Sequence, residues 1–246
     1  YPSLEYAHLP LVLGPDKKRL SKRHAATSLE EYQSDGYLDS AILNTLARLG
    51  WSKGDQEVFY IKDLIKNFNI NDVQKAGAVF DVSKLDWLNT QHLANLTLDE
   101  LKNKLRPYLE NFNINLEDHF DEDLLISSMR SSSNTLSGIA LDLKPYYLDE
   151  IEYDDKAISK FVDDVGKNIL SDLKEILSNI SDWNEKNLDI ALKNYQSEHE
   201  LPIPKVNQPI RIALTGSTRS PSLGLTLALF GKDKSLDRIS KLLIKN

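Results

Sequence analysis

Amphipathic helical periodicity, cut at short intervals by capping residues and turn formers, runs from Ser28 to the end of the chain and leaves little room for a sheet. Ser28-Leu-Glu-Glu31 reads as a capping box, the serine hydroxyl accepting from the Glu31 N–H while the Glu31 carboxylate reaches back. It predicts a short helix stopped by Asp35-Gly36. Asp39 is placed to cap a second helix, on which Ile42, Leu43, Leu46 and Leu49 share one face and Gly50 takes the C′ position. Helices are expected over 61–68 and 83–96, and Thr97-Leu-Asp-Glu100 is another capping box, opening a helix to Leu109. Periodicity resumes over 123–130 and again from Leu136. One apolar stripe, from Ile158 through Phe161, Val165, Ile169 and Leu173 to Leu177, predicts continuous helix over 156–180, and another helix reaches His199. Pro202-Ile-Pro204 predicts extended chain, then a helix over 208–214, a turn over 216–221 and a closing helix over 223–245. Strand signal is confined to 6–13, a short apolar run stopped by Gly14-Pro15. The expected fold is mainly α: a small mixed front part, then two helical bundles, with breaks near Leu96 and Ile151.

The chemistry visible in single residues is sparse. There is no cysteine, which excludes disulfides, thiolate metal sites and cysteine nucleophiles. The five histidines have no ligand spacing and read as packing or surface residues. No glycine-rich phosphate loop, G-x-S-x-G or H-E-x-x-H occurs. No apolar run approaches ~18 residues, so a membrane span is not expected. The opening residues carry no signal-peptide pattern and no initiator Met, so a cytoplasmic protein beginning inside a longer parent is expected.

Net charge is −7, yet both ends are basic. Residues 1–28 hold five Lys/Arg against two acids, and 202–246 hold eight against two. A polyanion responds to such local patches rather than to net charge. The densest cluster is Gly14-Pro-Asp-Lys-Lys-Arg-Leu-Ser-Lys-Arg-His24, a turn followed by cations ahead of a capped helix. Read on charge alone, it is a solvated loop more often than a site. Read as chemistry, Lys22 and Ser21 could stabilise charge developing on a polyphosphate.

The order Arg19-Leu-Ser-Lys-Arg23 resembles the KMSKS motif of class I aminoacyl-tRNA synthetases. The flanking words narrow the resemblance to bacterial glutamyl-tRNA synthetases: Tyr6-Ala-His-Leu-Pro-Leu-Val-Leu-Gly-Pro-Asp16, Leu46-Ala-Arg-Leu-Gly-Trp51, Lys84-Leu-Asp-Trp-Leu-Asn89, Pro209-Ile-Arg-Ile-Ala-Leu-Thr-Gly216 and Ser220-Pro-Ser-Leu223. It covers the whole chain and implies the C-terminal half of such a ligase, without the HIGH-containing catalytic domain. Three parts are then expected: the KMSKS loop and stem-contact fold over 1–96, and two anticodon-binding helical subdomains over 97–151 and 152–246. Lys22 and Ser21 would be catalytic, with Arg19, Leu20, Ser21, Lys22 and Arg23 against ATP. Arg211, Ser220, Pro221, Leu223 and, by position, Ser132 would read the anticodon. That set suits unstacked bases, which take a guanidinium, small hydrogen-bonding groups and an apolar shelf.

The implied reaction joins glutamate to its tRNA through glutamyl adenylate, using ATP and Mg²⁺, in a parent expected to be monomeric; the fragment alone is expected to be inactive. Three positions depart from the pattern. Arg19 replaces a lysine, Ala25 replaces a glycine, and Ser132 stands where the family often has the arginine that inspects the third anticodon base. The last departure implies relaxed choice between glutamate and glutamine tRNAs, or another reader such as Arg130. The different-class alternative is a non-enzymatic tRNA-binding or docking module, in which Lys22 would be unimportant.

Overall fold

A computed structural model of the chain describes residues 6, 8–21, 28–118 and 121–245. Among them are thirteen α-helices and one pair of two-residue strands. They form two compact units: Tyr1–Lys104 with Ser133–Gly138, and Leu105–Ser132 with Ile139–Asn246.

In the first unit, β1 (Val12–Leu13) runs parallel to β2 (Ala78–Val79), Val12 opposite Ala78 and Leu13 opposite Val79. The apolar run at 6–13 therefore yields only two strand residues, and its partner at 78–79 carries no period-2 signal of its own. Helix α1 (Leu29–Ser34) opens with the expected capping box, Glu31 N donating to Ser28 Oγ at 3.2 Å and Ser28 N to Glu31 Oε2 at 3.3 Å. Helix α2 (Asp39–Arg48) differs from expectation: Asp39 lies inside it, and Leu38 is the cap residue. No side chain caps α2, and the Leu38 N–H at its start donates to Asn89 Oδ1 at 2.9 Å. Gly50 follows α2 with an ordinary negative φ.

Helices α3 (Ile61–Asn67) and α4 (Val82–Ala94) complete two clusters. Tyr32, Ile42, Phe80 and Leu85 form one, with Leu20 against it; Trp51, Phe59 and Leu64 form the other. A buried polar node stands beside them. Asn44 Oδ1 accepts from Phe59 N at 2.7 Å and lies 3.1 Å from His92 Nε2, while Asn44 Nδ2 donates to Glu57 O at 3.0 Å. Burial lowers the His92 pKa and keeps the ring neutral.

Helix α5 (Leu98–Glu110) begins at the Thr97 box and continues through Pro107. The second unit adds α6 (Glu122–Met129), most of α7 (Leu136–Tyr147), α8 (Asp155–Phe161), α9 (Asp164–Ser178), α10 (Glu185–Glu198), α11 (Ile203–Thr215), α12 (Leu223–Phe230) and α13 (Lys232–Ile244). Three expectations are corrected here. The 156–180 stripe is two helices, because Asp163 takes the Gly166 N–H at 2.9 Å and starts α9 afresh, leaving Val165 half exposed. The 223–245 stretch also breaks, at Gly231, whose φ of 73° a helix interior excludes. Pro202-Ile-Pro204 is not extended beyond the cap: Pro202 is the cap and Pro204 lies in the first turn of α11, where no N–H is needed.

Arg238 anchors this unit. It is 1% exposed, donates from Nη2 to Pro145 O at 2.7 Å and to Leu148 O, donates from Nη1 to Leu214 O, and lies 4.6 Å over the Phe230 ring. The guanidinium thus ties the C-terminal ends of α7 and α11 to α13.

Candidate nucleic-acid interface

The basic front loop is a tight turn. Gly14 N donates to Lys18 O at 2.7 Å, Lys17 N to Gly14 O at 2.9 Å and Lys18 N to Asp16 Oδ1 at 3.0 Å, with Lys17 at φ 61°. Leu20 N then returns to Val12 O at 2.9 Å. Lys17, Lys18, Arg19 and Ser21 are exposed, whereas Leu20 is partly buried in the first unit's aromatic cluster. The turn therefore presents cations outward and holds itself down by one leucine. Lys22, Arg23 and Ala25 lie outside the described residues.

The second site is in the other unit, around the C-terminal half of α11. Pro209, Ile210, Ile212, Ala213 and Leu214 are buried, which turns Arg211 toward the 216–222 turn. Arg211 Nε donates to Ser220 Oγ at 2.8 Å and Nη2 to Pro221 O at 3.4 Å. Burial lowers the Arg211 pKa, offset in part by the Tyr146 hydroxyl. Ser220 Oγ also receives Thr226 Oγ1 at 2.9 Å and donates to Pro221 O at 3.0 Å. Gly216, at φ 73°, ends α11; a Cβ there would collide with Glu152 O. Ser222 caps α12, accepting from Leu225 N at 3.3 Å.

So Arg211, Ser220 and Pro221 are brought together and pre-bonded. Leu223, expected as an apolar shelf, is 3% exposed and belongs to the core. Ser132 is in the same unit, near α7, as a neighbour of Asp142 rather than of Arg211. The single-residue reading missed Asp142 and Tyr146, which stand four apart on one face of α7. Burial pushes the Tyr146 phenol up to about 12, and its hydroxyl is buried with no hydrogen-bond partner among the described residues. No feature of the linear sequence separates Asp142 from a solvated helix aspartate. Arg211 thus stands as a half-buried guanidinium fixed by two small hydrogen-bonding partners at the start of the 220–222 turn.

Residues 91–243 match the anticodon binding domain family, and residues 1–87 match the class I tRNA synthetase (E and Q) catalytic domain family. The chain is 36% identical over 239 residues to a glutamate–tRNA ligase of Francisella philomiragia, covering 96% of this chain and 51% of that protein. It is likewise 36% identical over 239 residues to a glutamate–tRNA ligase of Syntrophotalea carbinolica, covering 97% and 51%. Among solved structures, a glutamate tRNA ligase from Elizabethkingia meningosepticum in complex with its amino acid superposes with a TM-score of 0.79 at 26% identity, covering 100% of this chain and 52% of that one. A glutamate–tRNA synthetase from Elizabethkingia anophelis gives 0.75 at 27%, covering 99% and 52%. The chain spans about half the length of these relatives.

Proposed function

We take as premise that the chain belongs to the anticodon binding domain family, and from it we propose that the chain is the tRNA-reading C-terminal part of a glutamate–tRNA ligase. The observation that carries this reading is the tandem order of the two family matches along one chain, each on its own stretch of sequence. The geometry agrees with it. Arg211, held at Nε by Ser220, presents a fixed fork; its Nη1 has no hydrogen-bond partner among the described residues and is free for a base edge.

In the whole enzyme, ATP would supply the adenylyl group: a glutamate carboxylate oxygen would attack the α-phosphorus and pyrophosphate would leave. The exposed Lys17, Lys18 and Arg19 suit its phosphates, and Lys22 with Ser21 would hold charge on the departing pyrophosphate. Mg²⁺ would accompany ATP in the whole enzyme; among the described residues no group of three or more His or carboxylate side chains is placed to hold it. The segmentation into 1–96, 97–151 and 152–246 belongs to the same proposal, as do a monomeric parent, a cytoplasmic setting and inactivity of this chain alone. Relaxed choice between glutamate and glutamine tRNAs is part of it too, resting on Ser132.

An apolar cleft of ≈ 520 Å³ in the first unit, lined by Leu9, Leu11, Leu46, Ile61, Ile65 and Phe68, supports a larger parent. Parallel ladders stand with both faces covered, and a two-residue parallel pair with exposed leucines beside it fits the border of a bigger sheet.

The test is binding of the chain to glutamate tRNA and to the same tRNA with a changed anticodon, at one fixed salt concentration. Anticodon-dependent affinity is expected; equal affinity for both, or none, refutes the reading.

A further inference from the structure

We infer that Thr226 is a positioning residue for Arg211: its buried hydroxyl holds the Ser220 hydroxyl in the orientation that anchors the guanidinium. The inference rests on the reading of Arg211 as a tRNA contact and gives that contact its support.

Helix α12 is otherwise apolar. Thr226 is the one polar side chain between Leu223 and Phe230, and it is fully buried. A valine has nearly the same shape and would fill the same space, so the hydroxyl needs a reason of its own. Three oxygens lie within reach of Thr226 Oγ1: Ser222 O and Ser220 Oγ, each at 2.9 Å, and Pro221 O at 3.5 Å. Bonding to Ser222 O is the ordinary local contact of a helical threonine. The contact with Ser220 goes further, because Ser220 lies in the turn before the Ser222 cap. Each hydroxyl has one proton. Either Thr226 donates to Ser220, whose proton then goes to Pro221 O at 3.0 Å, or Ser220 donates to Thr226, whose proton goes to Ser222 O. Both arrangements leave a Ser220 lone pair for Arg211 Nε, 2.8 Å away.

The link matters because Arg211 has little else to hold it. Its second contact, Nη2 to Pro221 O, is 3.4 Å long. Arg211 and Ser220 are only partly buried, whereas Thr226 belongs to the core, next to the Tyr146 phenol whose ring stacks on Phe230 at 4.5 Å. The rigidity of the core thus reaches the guanidinium through two hydroxyls. Without the Thr226 hydroxyl, Ser220 is free to turn its lone pairs away, and Arg211 has to be ordered again on binding, at a cost in affinity.

The experiment pairs NMR of the Arg211 Nε–H with affinity of the chain for the anticodon stem-loop RNA of glutamate tRNA, at one salt concentration. In the unaltered chain the Nε–H should exchange with water more slowly than that of Arg219, whose side chain is 61% exposed. Thr226→Val should erase that protection and weaken RNA binding about three- to tenfold. Thr226→Ser, which keeps the hydroxyl, should restore both. In an Arg211→Ala background, Thr226→Val should change RNA affinity by less than about twofold, a result that a merely structural role would not give. An unprotected Nε–H in the unaltered chain overturns the inference whether or not the variants fold, as does a Thr226→Val chain that keeps the protection. An equal loss of affinity with and without Arg211 overturns it too, since Thr226 would then act through packing. If Arg211→Ala binds the RNA as well as the unaltered chain does, the tRNA reading of Arg211 fails, and exchange of the Nε–H still decides the positioning by itself.

Discussion

Replacing Arg238 by methionine tests how the second unit is held. The guanidinium serves three carbonyls, those of Leu214, Pro145 and Leu148, from a position with 1% exposure. Hydrogen bonds to a charged donor contribute about 1.5–3 kcal/mol each, so the three contribute about 5–9 kcal/mol. Against this stands burial of the charge. Desolvation holds the Arg238 pKa down to about 10 from an ordinary 12.5, which at about 1.4 kcal/mol per pH unit costs roughly 3 kcal/mol. The net contribution is then about 2–6 kcal/mol. Methionine keeps the apolar stem over Phe230 but strands all three carbonyls. The second unit should lose about 2–6 kcal/mol, seen as a fall of about 5–20 °C in its thermal midpoint by circular dichroism. Arg238→Lys, a point charge without the fork, should recover less than half of the loss. A methionine variant within about 0.5 kcal/mol of the parent would refute the reasoning, because the carbonyls would then have other partners.

Ser220→Ala removes the acceptor that holds Arg211 Nε at 2.8 Å; affinity for the cognate anticodon stem-loop should fall by about 1 kcal/mol, with the thermal midpoint nearly unchanged. Equal binding by this variant would show that Arg211 needs no orientation. Gly224→Ala puts a methyl against the Asp189 carboxylate and 2.8 Å from Glu185 O, which should cost about 1–3 kcal/mol in urea titrations. His92 has its folded pKa lowered by burial. The unfolded chain therefore binds the proton more readily, and stability is complete above about pH 6.5 and lost as pH falls below it; an NMR titration midpoint above that value would contradict the buried, neutral ring. In the full-length parent, Lys22→Ala should abolish glutamate-dependent ATP–pyrophosphate exchange and leave tRNA affinity unchanged, whereas undiminished exchange favours the non-enzymatic alternative.

Local signals carried most of the fold. The Ser28 and Thr97 boxes open α1 and α5 where the residues themselves place the hydrogen bonds, because a capping box closes over four residues. The errors have a common cause: the outcome depended on distant residues. Asp39 looks like a cap, but the cap position falls one residue earlier, at Leu38, whose N–H is held by Asn89 about fifty positions away. The 156–180 stripe keeps its periodicity across a break, because Asp163 caps locally without changing which side chains face inward. For the site, Arg211 and Ser220 were legible through the words around them, and the structure joins them. Asp142 was not. Its burial and its long contact from Arg219 are fixed only when α7 and the 219–221 turn come together.

The platform beneath Arg211 shows why such a site sits on an unpromising helix. Pro209 removes an N–H from the interior of α11 and crowds the Lys205 carbonyl, a change costing about 3 kcal/mol in an isolated helix. Propensity alone would end the helix there. Instead α8, α9 and α13 pack along α11, and Val206, Ile210, Ile212 and Leu214 are fully buried, which at about 1.5–3 kcal/mol per side chain exceeds the proline's cost several-fold. Tertiary packing therefore fixes the helix axis, and Gly216 ends it at φ 73°, five residues after Arg211. The guanidinium is left between a rigid helix and a bonded turn, with few conformations to lose on binding. A recognition side chain held this way spends its contacts on telling ligands apart rather than on ordering itself. If Arg211 reads a base, as proposed above, that is the property it needs, since a wrong base must cost more than a right one gains.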